Sequence, residues 1–110
     1  MRPMQYPAFA AIDVTVTASS VSIEADFMVS VSAQAVLTGS SPTGTLQFYA
    51  SNDIANPTNW SAVGSAVSVN ATGVWLVPAF DTCYSFIKLV WTKSSGTGTL
   101  TANLKSLAYS

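Results

Sequence analysis

Apolar and polar residues alternate with a period of two along most of this 110-residue chain, and this alternation constrains its fold most strongly. Residues 12–17 read Ile-Asp-Val-Thr-Val-Thr, which places the apolar side chains on one face of an extended strand and the polar ones on the other. An amphipathic helix would need apolar side chains at positions i, i+3, i+4 and i+7. Every ten-residue stretch that comes near this spacing is dominated by Ser and β-branched residues, which disfavour a helix. The pattern therefore predicts an all-β protein.

Turn-forming residues divide the alternating segments into short strands. Strands are predicted at residues 12–17, 27–38, 46–50, 65–69, 74–77, 86–93 and 99–107, with turns at 39–44, 70–73 and 94–98. The turn at 70–73 is predicted to close a tight hairpin, and the loop at 94–98, which contains two glycines, joins a C-terminal hairpin. About seven to eight such strands are typical of a single antiparallel β-sandwich or jelly roll, here over residues 11–110.

The first ten residues differ from the rest, because prolines interrupt an otherwise apolar segment. Pro3 precedes Met4, and Pro7 lies between Tyr6 and Phe9. This extended N-terminal arm, residues 1–10, could fold back on its own sheet or reach over a neighbouring subunit. We favour the second placement, which makes Met4, Tyr6 and Phe9 contacts to a partner.

Charge is sparse and evenly balanced. Charged residues make up 8% of the chain, against about 25% in a typical soluble domain, and the formal net charge is −1. The basic surface that binds nucleic acid is missing, and no apolar run reaches the roughly 18 residues that span a bilayer. Because the core of a protein interface is depleted of charge, we predict a homo-oligomer, with a trimer as one option; a monomer coated in Ser and Thr is the alternative.

Reactive side chains are also scarce, which argues against catalysis, metal binding and a cofactor. The chain has no His and a single cysteine, Cys83, which is predicted to be a buried structural thiol. Glu24 and Asp26 fall on one face of an extended segment, as a paired-carboxylate hydrolase would need, but their Ser-rich setting indicates a solvated loop or edge. We therefore predict no catalytic, metal-binding or cofactor-binding residue.

Aromatic residues offer the other candidate chemistry, since flat rings stack on sugars. A flat sugar-binding platform could be formed by the aromatic side chains of Tyr49, Trp60, Trp75, Tyr84 and Trp91. Trp91 is predicted to lie in the core because it shares a strand face with Ile87 and Leu89, whereas Trp60 and Trp75 fit either role equally. Residues 51–59 are rich in Asn, so Tyr49, Asn52, Asp53 and Trp60 are predicted to form a possible ligand or interface loop.

Two stretches match a known pattern. Ala50-Ser51-Asn52-Asp53 is followed by Asn59-Trp60, and Ile87-Lys88-Leu89-Val90-Trp91-Thr92 runs on through Ser95-Gly96-Thr97-Gly98-Thr99-Leu100. Over about residues 44–104 the chain resembles small β-sandwich structural proteins of bacteriophages. In those proteins a strand ending in SND leads to a loop closed by NW, and an IRLVYT strand turns through SGTGTL.

The resemblance implies a component of the virion, at the particle surface. It implies a capsid decoration protein, a shell subunit or a spike or fibre module, with a major capsid protein as partner and no catalytic residue. The alternative is a carbohydrate- or receptor-binding module of a spike or fibre that uses exposed aromatic side chains.

Overall fold

Two long antiparallel strands, β4 (Met28–Ser51) and β7 (Phe86–Ala108), organise the chain. The computed structural model describes residues 2–26, 28–55 and 57–108, and its other strands are β1 (Arg2–Asp13), β2 (Ala18–Ser19), β3 (Ile23–Glu24), β5 (Ser61–Val69) and β6 (Gly73–Asp81). The prediction of an all-β antiparallel fold is confirmed. The described residues include no helix long and apolar enough to cross a membrane. Phe27, the predicted start of the second strand, lies outside them.

The central pair is flanked by shorter strands on both sides. β1, β2 and β3 follow one another along the free side of β7, and β5 and β6 follow one another along the free side of β4. Every pairing is antiparallel, so the sheet has one edge formed by β1 to β3 and another formed by β5 and β6.

Bulges near the middle of β4 and β7 fold this sheet over on itself. The β4–β7 register shifts on both sides of Thr43, where the backbone takes positive φ at Gly39 (119°), Gly96 (85°) and Gly98 (141°). Such φ values favour glycine, and extra residues in one strand bend a sheet. The two halves then face each other, and the ring of Phe48 in one lies 5.2 Å from that of Phe80 in the other, centroid to centroid. This closes a β-sandwich.

The predicted chain reversals at 39–44, 70–73 and 94–98 are wrong. β4 passes through the first segment and β7 through the last as single bent strands, so the C-terminal hairpin does not form. β5 and β6 run in the same direction along β4, so the middle segment joins two strands in line. Glycine suits a bulge as well as a reversal because both can require positive φ.

The core is formed by the inward faces of both halves. Leu46, Phe48 and Ala50 of β4 are buried, as the alternation predicts. The inward residues predicted for the C-terminal segment are buried too: Ile87, Leu89, Trp91, Leu100, Ala102 and Leu104. The alternation therefore identifies the core face of β4 and β7, but the predicted strand at 12–17 is wrong beyond Asp13: the chain turns there, and Val16, predicted to share a face with the buried Val14, is 57% exposed.

The N-terminal segment lies on its own sheet as strand β1. Met4 is opposite Ser106 and Tyr6 is opposite Leu104 on β7. Directly opposed residues in antiparallel strands share a face, so these two side chains point toward the core. Phe9 is buried in that core. Of the two placements considered for the arm, the structure has the one in which it folds back.

Candidate functional site

The loop after β4 is held closed by the carboxylate of Asp53. One carboxylate oxygen accepts hydrogen bonds from the backbone N–H groups of Thr58 (2.7 Å) and Asn59 (3.1 Å). The hydrogen bond from the Thr58 amide, followed by that from Asn59, lowers the pKa of Asp53 below its usual value. The carboxylate is therefore ionised at neutral pH and ties the two ends of the loop together.

The neighbouring side chains also have structural hydrogen bonds. The Asn52 side-chain oxygen accepts a bond from the backbone N–H of Ser85 (3.0 Å), which joins the loop to the start of β7. The Ser51 hydroxyl accepts one from the backbone N–H of Asp53 (3.2 Å). The Ser-Asn-Asp motif thus shapes the loop, and contact of Asn52 or Asp53 with a ligand stays a prediction.

Tyr49, Trp60 and Lys88 form a surface cluster on the outer side of the sheet. Tyr49 on β4 lies opposite Lys88 on β7, and all three side chains are half-buried. The Lys88 ammonium lies over the Trp60 ring, 4.4 Å from its centroid, in a cation–π contact. The structure therefore brings Tyr49 and Trp60 to the same region, and one face of the indole is covered by Lys88.

Lys88 is the member of this cluster that the sequence analysis missed. The alternation places it on the outer face, opposite the buried Ile87 and Leu89, but not next to an aromatic ring. Its cross-strand register with Tyr49 depends on the pairing of β4 with β7, which is set over the whole length of both strands.

The five aromatic side chains do not form one platform. Trp91 is fully buried, as predicted, and its indole N–H donates to the Val14 carbonyl oxygen at 3.1 Å. Trp75 is half-buried on β6, in the other half of the sandwich from Trp60, and donates to the Ala71 carbonyl oxygen at 3.1 Å. Tyr84 packs against the core. Trp75 and Trp91 are thus engaged in holding the fold.

Cys83 is exposed, so the prediction of a buried thiol is wrong. The residue lies in the connection between β6 and β7, before the apolar strand and not within it. Glu24 lies on β3 and Asp26 in the turn after it; both are exposed, as predicted for a solvated edge. Within the described ranges no three residues of the types that ligate metals come together.

Comparison with known proteins identifies the fold. No protein-family model matches the sequence, and no curated protein matches it. Among solved structures, the PBSX exported protein XepA superposes with a TM-score of 0.77 at 15% identity, over 97% of this chain and 38% of XepA. The SPBc2 prophage-derived protein YomS superposes with a TM-score of 0.57 at 16% identity, over 96% of this chain and 94% of YomS.

A viral chain has the same architecture. A chain of infectious bursal disease virus, Gx strain, superposes with a TM-score of 0.54 at 14% identity, over 96% of this chain and 31% of the viral one. This chain therefore spans well under half the length of XepA and of the viral chain. At these identities the likeness establishes the fold, and the resemblance to viral β-sandwich proteins is confirmed at that level.

Proposed function

We propose that this chain is a non-enzymatic structural protein of a bacteriophage virion. It acts as a capsid decoration or capsid-associated subunit at the particle surface, where it associates with copies of itself and with a major capsid protein. The fold supports this role, since it is shared with a prophage-derived protein and a viral chain. Because one fold serves many functions, the role of this chain depends on the side chains that its surface presents.

The observation that carries the proposal is an apolar patch on the outer face of β4 and β6. Val36 on β4 lies opposite Val74 on β6. Leu76, two residues after Val74, lies on the same face of β6, opposite Gln34. Val74 is 62% exposed and Leu76 is 64% exposed. Exposed apolar side chains that adjoin one another mark protein contact surfaces, and a lack of charge is typical of their centres. We call Val36, Val74 and Leu76 the outer patch.

A charge placed in the outer patch is expected to prevent attachment without unfolding the protein. In Leu76→Lys the new side chain is mostly exposed, so the free energy of unfolding should change by no more than about 0.5 kcal/mol. Cosedimentation with phage particles stripped of this protein should show at least about tenfold weaker binding, equivalent to ~1.4 kcal/mol. Val16→Lys is the matched control, because Val16 is 57% exposed outside the patch. Unchanged cosedimentation of Leu76→Lys would remove the patch from the proposal.

Met4, Tyr6 and Phe9 remain proposed partner contacts, with different accessibility. Met4 and Tyr6 are half-buried and retain surface that a partner can touch while β1 stays on β7. Phe9 is 5% exposed, so a partner reaches it only if β1 leaves the sheet. The contact that β1 offers in its observed position is therefore centred on Met4 and Tyr6.

A further inference from the structure

An apolar cavity opens at the sheet edge where β5 meets β6. The register of β5 jumps between Leu46–Val67 and Phe48–Val63, so three residues, 64–66, bulge from the ladder. β6 has a similar irregularity, where its register jumps between Val31–Phe80 and Ala33–Val77. The two bulges separate the edge strands and leave a cavity of about 270 Å³ lined mainly by Phe48, Val63, Val77, Pro78, Ala79 and Phe80. We call this cavity the edge pocket.

The chemistry of the edge pocket suits one apolar side chain. Its wall includes the paired rings of Phe48 and Phe80, and residues 61–80, which supply the rest of the lining, contain no charged residue. An apolar cavity of roughly 150 Å³ is enough to admit benzene, so the edge pocket has room for a branched aliphatic side chain.

The same chain presents a side chain of that shape at another place. Ile54 is 99% exposed, more than any other large hydrophobic residue in the described part of the chain. It lies in the loop that Asp53 closes and Asn52 anchors to β7, so the loop that carries it is braced by hydrogen bonds. An isoleucine so exposed on a braced loop is presented to the surroundings and not to its own core.

We propose that Ile54 of one copy inserts into the edge pocket of the next copy. This deepens the proposed function, on which it rests, because it names the surfaces through which copies associate. The residues that line the edge pocket carry no charge, and the first charged residue beyond them on β6 is Asp81, next to Phe80. Since the inserted residue and the pocket are different surfaces, the contact is head-to-tail and repeats into a ring or a filament.

Sedimentation velocity over a range from micromolar to millimolar protein tests this contact. The wild type is expected to form oligomers, whereas Ile54→Asp and Ala79→Arg should each weaken association at least about tenfold. Ile54 and Ala79 are both exposed, so circular dichroism and thermal melting should show folded proteins. Val21→Asp is the control, since Val21 is 72% exposed elsewhere on the surface and should associate as the wild type does.

A mixture of Ile54→Asp and Ala79→Arg tests whether Ile54 and the edge pocket are the two sides of one contact. Ala79→Arg keeps an intact Ile54 and Ile54→Asp keeps an intact edge pocket, so an equimolar mixture should form a one-to-one dimer and stop there. A wild type that stays monomeric, a variant that associates like the wild type, or a mixture without dimers would each overturn the proposal. The virion role is decided separately, by the presence of the protein in particles.

Discussion

Replacement of Trp91 by alanine is expected to lower the free energy of unfolding by about 4 kcal/mol. The side chain is 0% exposed and lies where the bend brings three segments together. Its ring packs on Gly44 of β4, and its indole N–H donates to the Val14 carbonyl oxygen in the connection between β1 and β2. A domain of this kind is stable by roughly 5–15 kcal/mol, so urea unfolding should show a much lower midpoint or a largely unfolded protein.

Two further tryptophan variants separate the parts of this effect. Trp91→Phe keeps most of the buried ring but leaves the Val14 carbonyl without its indole partner, so a loss of about 1–2 kcal/mol is expected. Trp60→Ala removes a half-buried indole and its cation–π contact with Lys88, and should cost about 1 kcal/mol. If Trp91→Ala were no less stable than Trp60→Ala, the bend would not depend on this side chain.

Gly98→Ala is expected to destabilise the fold by about 3 kcal/mol. Gly98 has a φ of 141°, and a β-carbon there would collide with the carbonyl oxygen of Thr38 on the paired strand. The strained φ and the forced separation of β4 from β7 each cost on the order of 1–3 kcal/mol. Equilibrium unfolding in urea measures the combined loss.

Gly73→Ala provides the matched control. Gly73 also has a positive φ, 126°, but a β-carbon there has no neighbouring atom within 4 Å. This variant therefore reports the cost of the backbone conformation alone, about 1 kcal/mol. The difference between the two losses in the free energy of unfolding measures the cost of pushing β4 and β7 apart at the bend. Equal losses would contradict the view that the sandwich depends on the close approach of these strands at Gly98.

The fold class and the core face could be predicted from sequence because strand alternation is a local property. Leu46, Phe48 and Ala50 alternate with polar or exposed residues whichever strand lies beside them. Whether the chain reverses at Gly96 and Gly98 or continues through a bulge depends on what those residues pair with. That pairing is decided by β4, more than forty residues away in sequence, and short-range patterns do not contain it.

In the candidate site, too, local features could be predicted from sequence and long-range contacts could not. The Ser-Asn-Asp motif correctly marks a structured loop, because Asn and Asp side chains bond to backbone groups within a few residues. Lys88 could not be assigned beside Trp60, since the contact joins the start of β5 to β7. The edge pocket could not be predicted either, because it arises from two bulges on strands that do not pair with each other.

The most direct test of a virion role is quantitative mass spectrometry of purified phage particles from the source culture. It measures the copy number of this chain relative to the most abundant shell protein. A capsid decoration or capsid-associated subunit predicts a ratio near a simple fraction that persists through density-gradient purification. A ratio of a few per cent would move the protein to a spike or fibre, and its absence from particles would contradict the virion role and favour the carbohydrate-binding alternative.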